Sequence, residues 1–140
     1  MERTELPVAV FDSGLGGISV LRALVQRMPG EDFLYFGDSA NAPYGVRPAA
    51  EVRELTQSVI ARLYARGIKA AVIACNTATA AALPALRETW PDMPIIGVIE
   101  PGSRAACEAS PSGDIAVIAT ESTIRSGAYA EAILRRRPEA

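Results

Sequence analysis

The sequence predicts an α/β fold, a parallel sheet flanked by helices, on three observations. Short β-rich apolar runs alternate with longer segments of helical periodicity. Glycine, proline and polar clusters separate them. Four of the strand-like runs end abruptly in chemically capable side chains: Asp12-Ser13, Asp38-Ser39, Cys75-Asn76-Thr77 and Thr120-Glu121-Ser122-Thr123. Strand–helix–strand repetition implies parallel pairing with helices on both faces.

The first strand is expected over residues 7–11 and breaks at Asp12-Ser13-Gly14-Leu15-Gly16-Gly17. Residues 18–28 carry Ile18, Leu21, Leu24, Val25 and Met28 at helical spacing, and Pro29-Gly30 stops that helix. A second strand covers 32–37, and a loop runs to Pro48. A second helix over 49–66 aligns Val52, Leu55, Val59, Ile60 and Leu63, with Gly67 placed to cap its C-terminus. The third strand is 69–74 and the third helix 77–90, with Pro84 expected to kink or restart it. A fourth strand at 94–99 turns through Glu100-Pro101-Gly102 into a short helix through Cys107. A loop at 109–113, a fifth strand at 114–119 and a last helix at 124–137 complete the pattern. The arginines 135–137 read as a solvated helix end favoured by the dipole.

Composition bounds the function. At 140 residues the chain is long enough for one compact core. With 49% hydrophobic and 21% charged residues it reads as an ordinary soluble globular protein. A net charge of -2 offers no basic footprint, so no nucleic-acid partner is expected. The apolar runs are short and interrupted, so no membrane span is expected. Met1-Glu2-Arg3-Thr4-Glu5 lacks the apolar core of a signal peptide. Two cysteines are too few for a disulfide framework, so free thiols and a cytoplasmic setting are expected. Without histidine the chain holds no His-based triad and no His-containing zinc site, and Cys75 and Cys107 cannot supply four thiolates; no metal is expected.

The strand ends carry the chemistry, because a parallel sheet brings them to one edge, where ligands bind. The run Ala71-Val72-Ile73-Ala74-Cys75-Asn76-Thr77 reads as a buried strand ending in a thiol, an amide and a hydroxyl. Cys75 is either a buried small side chain or a reactive group. The glycine-rich loop after the first strand departs from the dinucleotide fingerprint, since Ser19 stands in place of the third glycine. A Walker lysine is absent, Gly14 replaces the second aspartate of an Asp-based phosphatase, and Ala81 stands where a cysteine phosphatase needs arginine. That loop suits a phosphate or a carboxylate equally, as backbone N–H donors serve either anion. What remains is a thiol, the Asp12 carboxylate, hydroxyls, amides and backbone donors. This set suits proton abstraction from carbon, or covalent attack helped by a partner outside the chain. N–H dipoles at a helix start favour a thiolate, and Cys75 directly precedes the third helix.

Five motifs in order resemble the glutamate racemase family of the aspartate/glutamate racemase superfamily: Phe11-Asp12-Ser13-Gly14-Leu15-Gly16-Gly17, Gly37-Asp38-Ser39-Ala40-Asn41-Ala42-Pro43-Tyr44-Gly45, Ala74-Cys75-Asn76-Thr77-Ala78, Gly97-Val98-Ile99-Glu100-Pro101, and the run from Thr120 through Tyr129. They cover nearly the whole chain. The resemblance implies a cofactor-independent enzyme interconverting L- and D-glutamate and supplying D-glutamate for peptidoglycan. Two cysteines would act from opposite faces of the substrate Cα, Cys75 matching the one that faces the D-enantiomer. Asp12 and Ser13 would lie near that thiol and the substrate amino group. Tyr44-Gly45 and Asn76-Thr77 would hold the carboxylates, with Thr120 or Thr123 contributing from a second domain.

The family has two pseudo-symmetric α/β domains. On this reading residues 1–99 form the first, lacking its C-terminal return segment, and 100–140 begin the second. The family's second cysteine lies in a Gly-Cys-Thr-His-like motif that this sequence does not contain, and Cys107, in Ala105-Ala106-Cys107-Glu108, reads as helix packing. The chain is therefore expected to be a fragment inactive alone, with apolar Ile115, Val117 and Ile118 exposed, unless a homodimer presents two Cys75 thiols. The alternatives are a racemase or decarboxylase of another acid on the same scaffold, and a non-catalytic glutamate-binding fragment.

Overall fold

The structure, a computed structural model, describes residues 5–140; the charged opening at 1–4, read above as no signal peptide, lies outside the described residues. Among these residues β1 (Val8–Asp12), β2 (Phe33–Gly37), β3 (Ala70–Ile73) and β4 (Ile95–Gly97) form a parallel sheet in the order β2-β1-β3-β4. The chain builds outward from β1 to one side and then to the other. The crevice between the carboxyl ends of β1 and β3 is thus a topological switch point.

β1 is buried along its whole length, and its alternation divides the core. Ala9 and Phe11 point to one face, where they pack with Ala71, Ile73 and Ile95 and with two helices, α2 (Ala49–Ala65) and α3 (Asn76–Thr89). Those helices contribute Val52, Val59, Ile60, Leu63, Ala78, Ala82 and Leu86. Val8 and Val10 point to the other face with Val72 and Ala74, against Val20, Leu21 and Leu24 of α1 (Ile18–Arg27). No residue of α1 is fully buried, so this second face is the thinner one. The predicted helices on both faces are present.

Gly97 sets the closeness of β4 and α3: a Cβ there would lie 2.3 Å from Thr79 Cγ2 and 2.9 Å from Leu83 Cδ2. Gly67 caps α2 in the left-handed region, at φ +85°, as its position in the sequence implied.

Three elements differ from expectation. α3 runs through Pro84 without restarting, so the lost N–H is absorbed within a helix whose inner face is buried on the core. Residues 114–119 form no strand. Their β-like composition meets no sheet edge: α4 (Ile99–Ala109) packs instead on α6 (Ala128–Arg136), and Ile118 is fully exposed. A strand exists only through a ladder with a neighbour. The last helix is divided into α5 (Glu121–Ser126) and α6 at Gly127, which adopts φ +69°. The expected exposure of the 114–119 segment is found at Ile118, whereas Ile115 and Val117 are half-buried.

Candidate active site

A cleft of about 600 Å³ opens at the carboxyl edge of the sheet, lined by the loops after β1, β2 and β3 and by Thr120 and Tyr129 from the C-terminal part. Asp12, Ser13, Tyr44, Gly45, Cys75, Asn76, Thr77 and Thr120 all line it, so the structure brings together every predicted site residue except Thr123.

Cys75 is the N-cap of α3, with extended backbone. Its Sγ accepts the N–H of Ala78 at 3.4 Å and lies 3.5 Å from Ser13 Oγ. The helix N-terminus presents an N–H donor and the positive end of its dipole to the sulfur. The first N–H groups of the helix, on Asn76 and Thr77, have no intrahelical acceptor and face the same edge. They are donors suited to a carboxylate.

Asp12 ends β1, 7% exposed. Its Oδ2 accepts N–H groups of Gly17 at 3.0 Å and Gly14 at 3.3 Å. The glycine-rich loop therefore wraps the carboxylate of its own Asp12. Gly17 is needed for this wrap, since a Cβ there would lie 2.7 Å from that of Asp12. Tyr35 anchors the loop from β2 by donating to the Gly14 carbonyl at 2.8 Å. Burial, then the charge of Asp12, raises the Tyr35 phenol above its ordinary pKa.

Tyr44 lines the cleft without offering its phenol to a ligand. The ring is 1% exposed and tilted against Phe11, and its hydroxyl donates to Asp38 Oδ2 at 2.7 Å. Burial first, then the hydrogen bond to Asp38, raises the phenol's pKa, so it remains a donor. Asn41 Nδ2 also donates to both Asp38 oxygens, at 3.0 and 3.1 Å. Tyr44 thus fixes the 38–45 loop, and Tyr44 and Gly45 both line the cleft. Asp38, one of the polar strand ends, is the organising carboxylate that reading by motif passed over.

Thr77 Oγ1 lies 2.9 Å from Thr120 Oγ1 and 3.1 Å from Thr123 Oγ1, and these two are 3.0 Å apart. This triangle ties α3 to the start of α5. Thr120 reaches the cleft, while Thr123, 1% exposed, lies behind it. Gly45 admits the contact, because a Cβ there would meet Thr120 at 2.6 Å. Tyr129, from α6, donates to Asn76 Oδ1 at 2.6 Å. Its place in the cleft was missed: it ended the fifth motif, but nothing local points its ring at Asn76. Cys107 is half-buried on α4 and does not line the cleft. The described residues contain no group of three or more acidic, cysteine or histidine side chains able to hold a metal, and no helix long and apolar enough to cross a membrane.

Known proteins resemble this chain in sequence and in fold. The Asp/Glu/Hydantoin racemase family matches residues 11–139. Glutamate racemase of Corynebacterium diphtheriae is 51% identical over 125 residues, covering 89% of this chain and 47% of that protein. Glutamate racemase of Lactiplantibacillus plantarum is 52% identical over 136 residues, covering 97% and 50%. A crystal structure of a glutamate racemase isoform from Bacillus anthracis superposes with a TM-score of 0.93 at 39% identity, over 97% of this chain and 51% of that one. Glutamate racemase of Francisella tularensis in complex with D-glutamate gives 0.89 at 36%, over 96% and 50%. The chain spans about half the length of the curated relatives it matches. The family match over residues 11–139, with relatives at about half identity along the same stretch, shows that this chain belongs to the Asp/Glu/Hydantoin racemase family.

Proposed function

We propose that this chain carries one thiol face of a cofactor-independent glutamate racemase site, in which Cys75 moves the Cα proton on the side that faces D-glutamate. The carrying observation is the placement of Cys75 Sγ at the N-terminus of α3, beside Ser13 and inside a cleft rimmed by backbone and side-chain donors. The thiolate takes the Cα proton and becomes a thiol, leaving a carbanion-like substrate. The N–H groups of Asn76 and Thr77 and the Asn76 amide stabilise the carboxylate charge that builds up. Ser13 sits beside the sulfur, and Ser13 and Asp12, both lining the cleft, receive the ammonium group. Return of a proton to the opposite face requires a second acid, and Cys75 is the one thiol lining this cleft.

The division into a first racemase domain over 1–99 and the beginning of a second over 100–140 belongs to the same reading, supported by the packing of α4 on α6 rather than on the sheet. So does a cytoplasmic role in supplying D-glutamate for peptidoglycan, a reading supported by the similarity to glutamate racemases.

The test is Cα hydrogen exchange. The 140-residue chain in D₂O is expected to wash deuterium into D-glutamate, followed by proton NMR, without net racemisation by polarimetry or circular dichroism. Cys75→Ser is expected to stop the exchange. Exchange that survives Cys75→Ser, or a chain that takes up no D-glutamate by titration calorimetry, overturns the reading.

A further inference from the structure

The hydrogen bond between Tyr129 and Asn76 assigns a role to a residue outside the set just described. Resting on the proposed glutamate site, we infer that Tyr129 is a positioning residue: by donating to Oδ1 of Asn76 it orients that amide so that Nδ2 is the group left for a ligand in the cleft.

Asn76 is the first residue of α3, and its side chain is exposed at the cleft. An unconstrained amide presents either its acceptor or its donors after a half-turn about its last torsion. For an anionic ligand only the donor orientation is productive, because the acceptor would face the ligand's carboxylate. The 2.6 Å separation is in the range of an O–H···O bond and short for N–H···O, so the phenol donates to Oδ1 and selects the donor orientation. Nδ2 then joins the backbone N–H groups of Asn76 and Thr77 as a cluster of donors on one helix terminus. The phenol retains its proton at neutral pH, since burial raises its pKa.

The ring itself is seated by a helix that does not otherwise reach the cleft. Gly102 of α4 faces it, and a Cβ at that position would lie 3.0 Å from Tyr129 Oη and 3.4 Å from Cε1. Three elements therefore meet at one amide: α3 supplies it, α6 supplies the phenol and α4 leaves the space for the phenol.

Gly102→Ala tests this without removing the hydroxyl. Alanine favours the helix over glycine, while its methyl displaces the phenol by a few tenths of an ångström.

The experiment uses the 140-residue chain and D-glutamate, measured by titration calorimetry, together with the Asn76 side-chain amide resonances in ligand-free protein. Tyr129→Phe is expected to weaken D-glutamate binding about fivefold, as for loss of one orienting hydrogen bond. In an Asn76→Ala background the same change is expected to cost less than about twofold. Gly102→Ala is expected to weaken binding in the same direction with no fall in melting temperature. In Tyr129→Phe without ligand, the Asn76 amide resonances are expected to shift and broaden as the amide samples both orientations. Equal losses in both backgrounds, or unchanged Asn76 amide resonances, overturn the inference. If wild-type chain binds no D-glutamate, the functional reading falls, and the amide resonances alone then decide whether Tyr129 orients Asn76.

Discussion

Cys75 has two neighbours that a thiol in ordinary packing does not need: a helix N–H aimed at its sulfur and the hydroxyl of Ser13. It is also 7% exposed, so its burial alone matches the ordinary fate of a cysteine. The distinction comes from what faces it: the helix start is legible in its own sequence window, while Ser13, 62 residues away, is not. For Tyr44 the hydroxyl is committed to Asp38, six residues earlier in the same motif. A pH dependence follows. The folded-state pKa of Tyr44 lies above the unfolded value of about 10. Stability is unaffected below pH 10 and falls above it, because the unfolded chain releases a proton that the folded chain retains. For a single proton the slope reaches at most about 1.4 kcal/mol per pH unit. Tyr44→Phe is expected to cost about 1 kcal/mol at pH 8 through the lost hydrogen bond, yet to flatten the decline between pH 10 and 11. Tyr35 and Tyr129, also raised, keep part of the decline in place. Urea melts at successive pH values measure both effects.

At the scale of elements, α3 does the most. Its N-terminus holds the thiol and the anion donors, its inner face fills the core, and Thr79 and Leu83 meet β4 at Gly97. Gly97→Ala forces a methyl into Thr79 and is expected to destabilise by about 1–3 kcal/mol, as overpacking does, lowering the urea midpoint at unchanged slope. The periodicity of α2 and α3 was legible because one face of each is buried in a continuous core. The 114–119 segment was misread for the opposite reason. Alternating apolar residues state a preference for extended backbone, while a strand requires a partner edge. The amides of 115–119 make no backbone hydrogen bond among the described residues. They are expected to exchange with solvent near intrinsic rates, while those of β1 and β3 exchange only by global opening. Comparable protection in hydrogen-exchange mass spectrometry would contradict this arrangement.

At the scale of the molecule, burial is uneven. One sheet face is closed by α2 and α3; the other is covered by α1 alone, with Ile18, Val25 and Leu15 largely exposed, and Ile96 and Ile118 are exposed elsewhere. Such apolar surface promotes association. The 140-residue chain is expected to self-associate with rising concentration in sedimentation velocity. Ile118→Ser is expected to reduce that association while changing stability by less than about 0.5 kcal/mol, as for an exposed site. Insensitivity of association to this change would place the contact elsewhere on the surface.

The sequence by itself determined the fold class, the order of the first four strands and their helices, and the residues gathered at the sheet's carboxyl edge. Period-2 and period-3.6 patterns are local, and parallel topology carries strand ends to one place. Only the tertiary structure decided that the glycine loop encloses Asp12, that Tyr44 serves Asp38, that Thr123 stands behind Thr120, and that Tyr129 reaches Asn76 from 53 residues away. Those facts depend on which donor finds which acceptor across packed elements. A buried polar group must be satisfied, but the sequence does not say by whom.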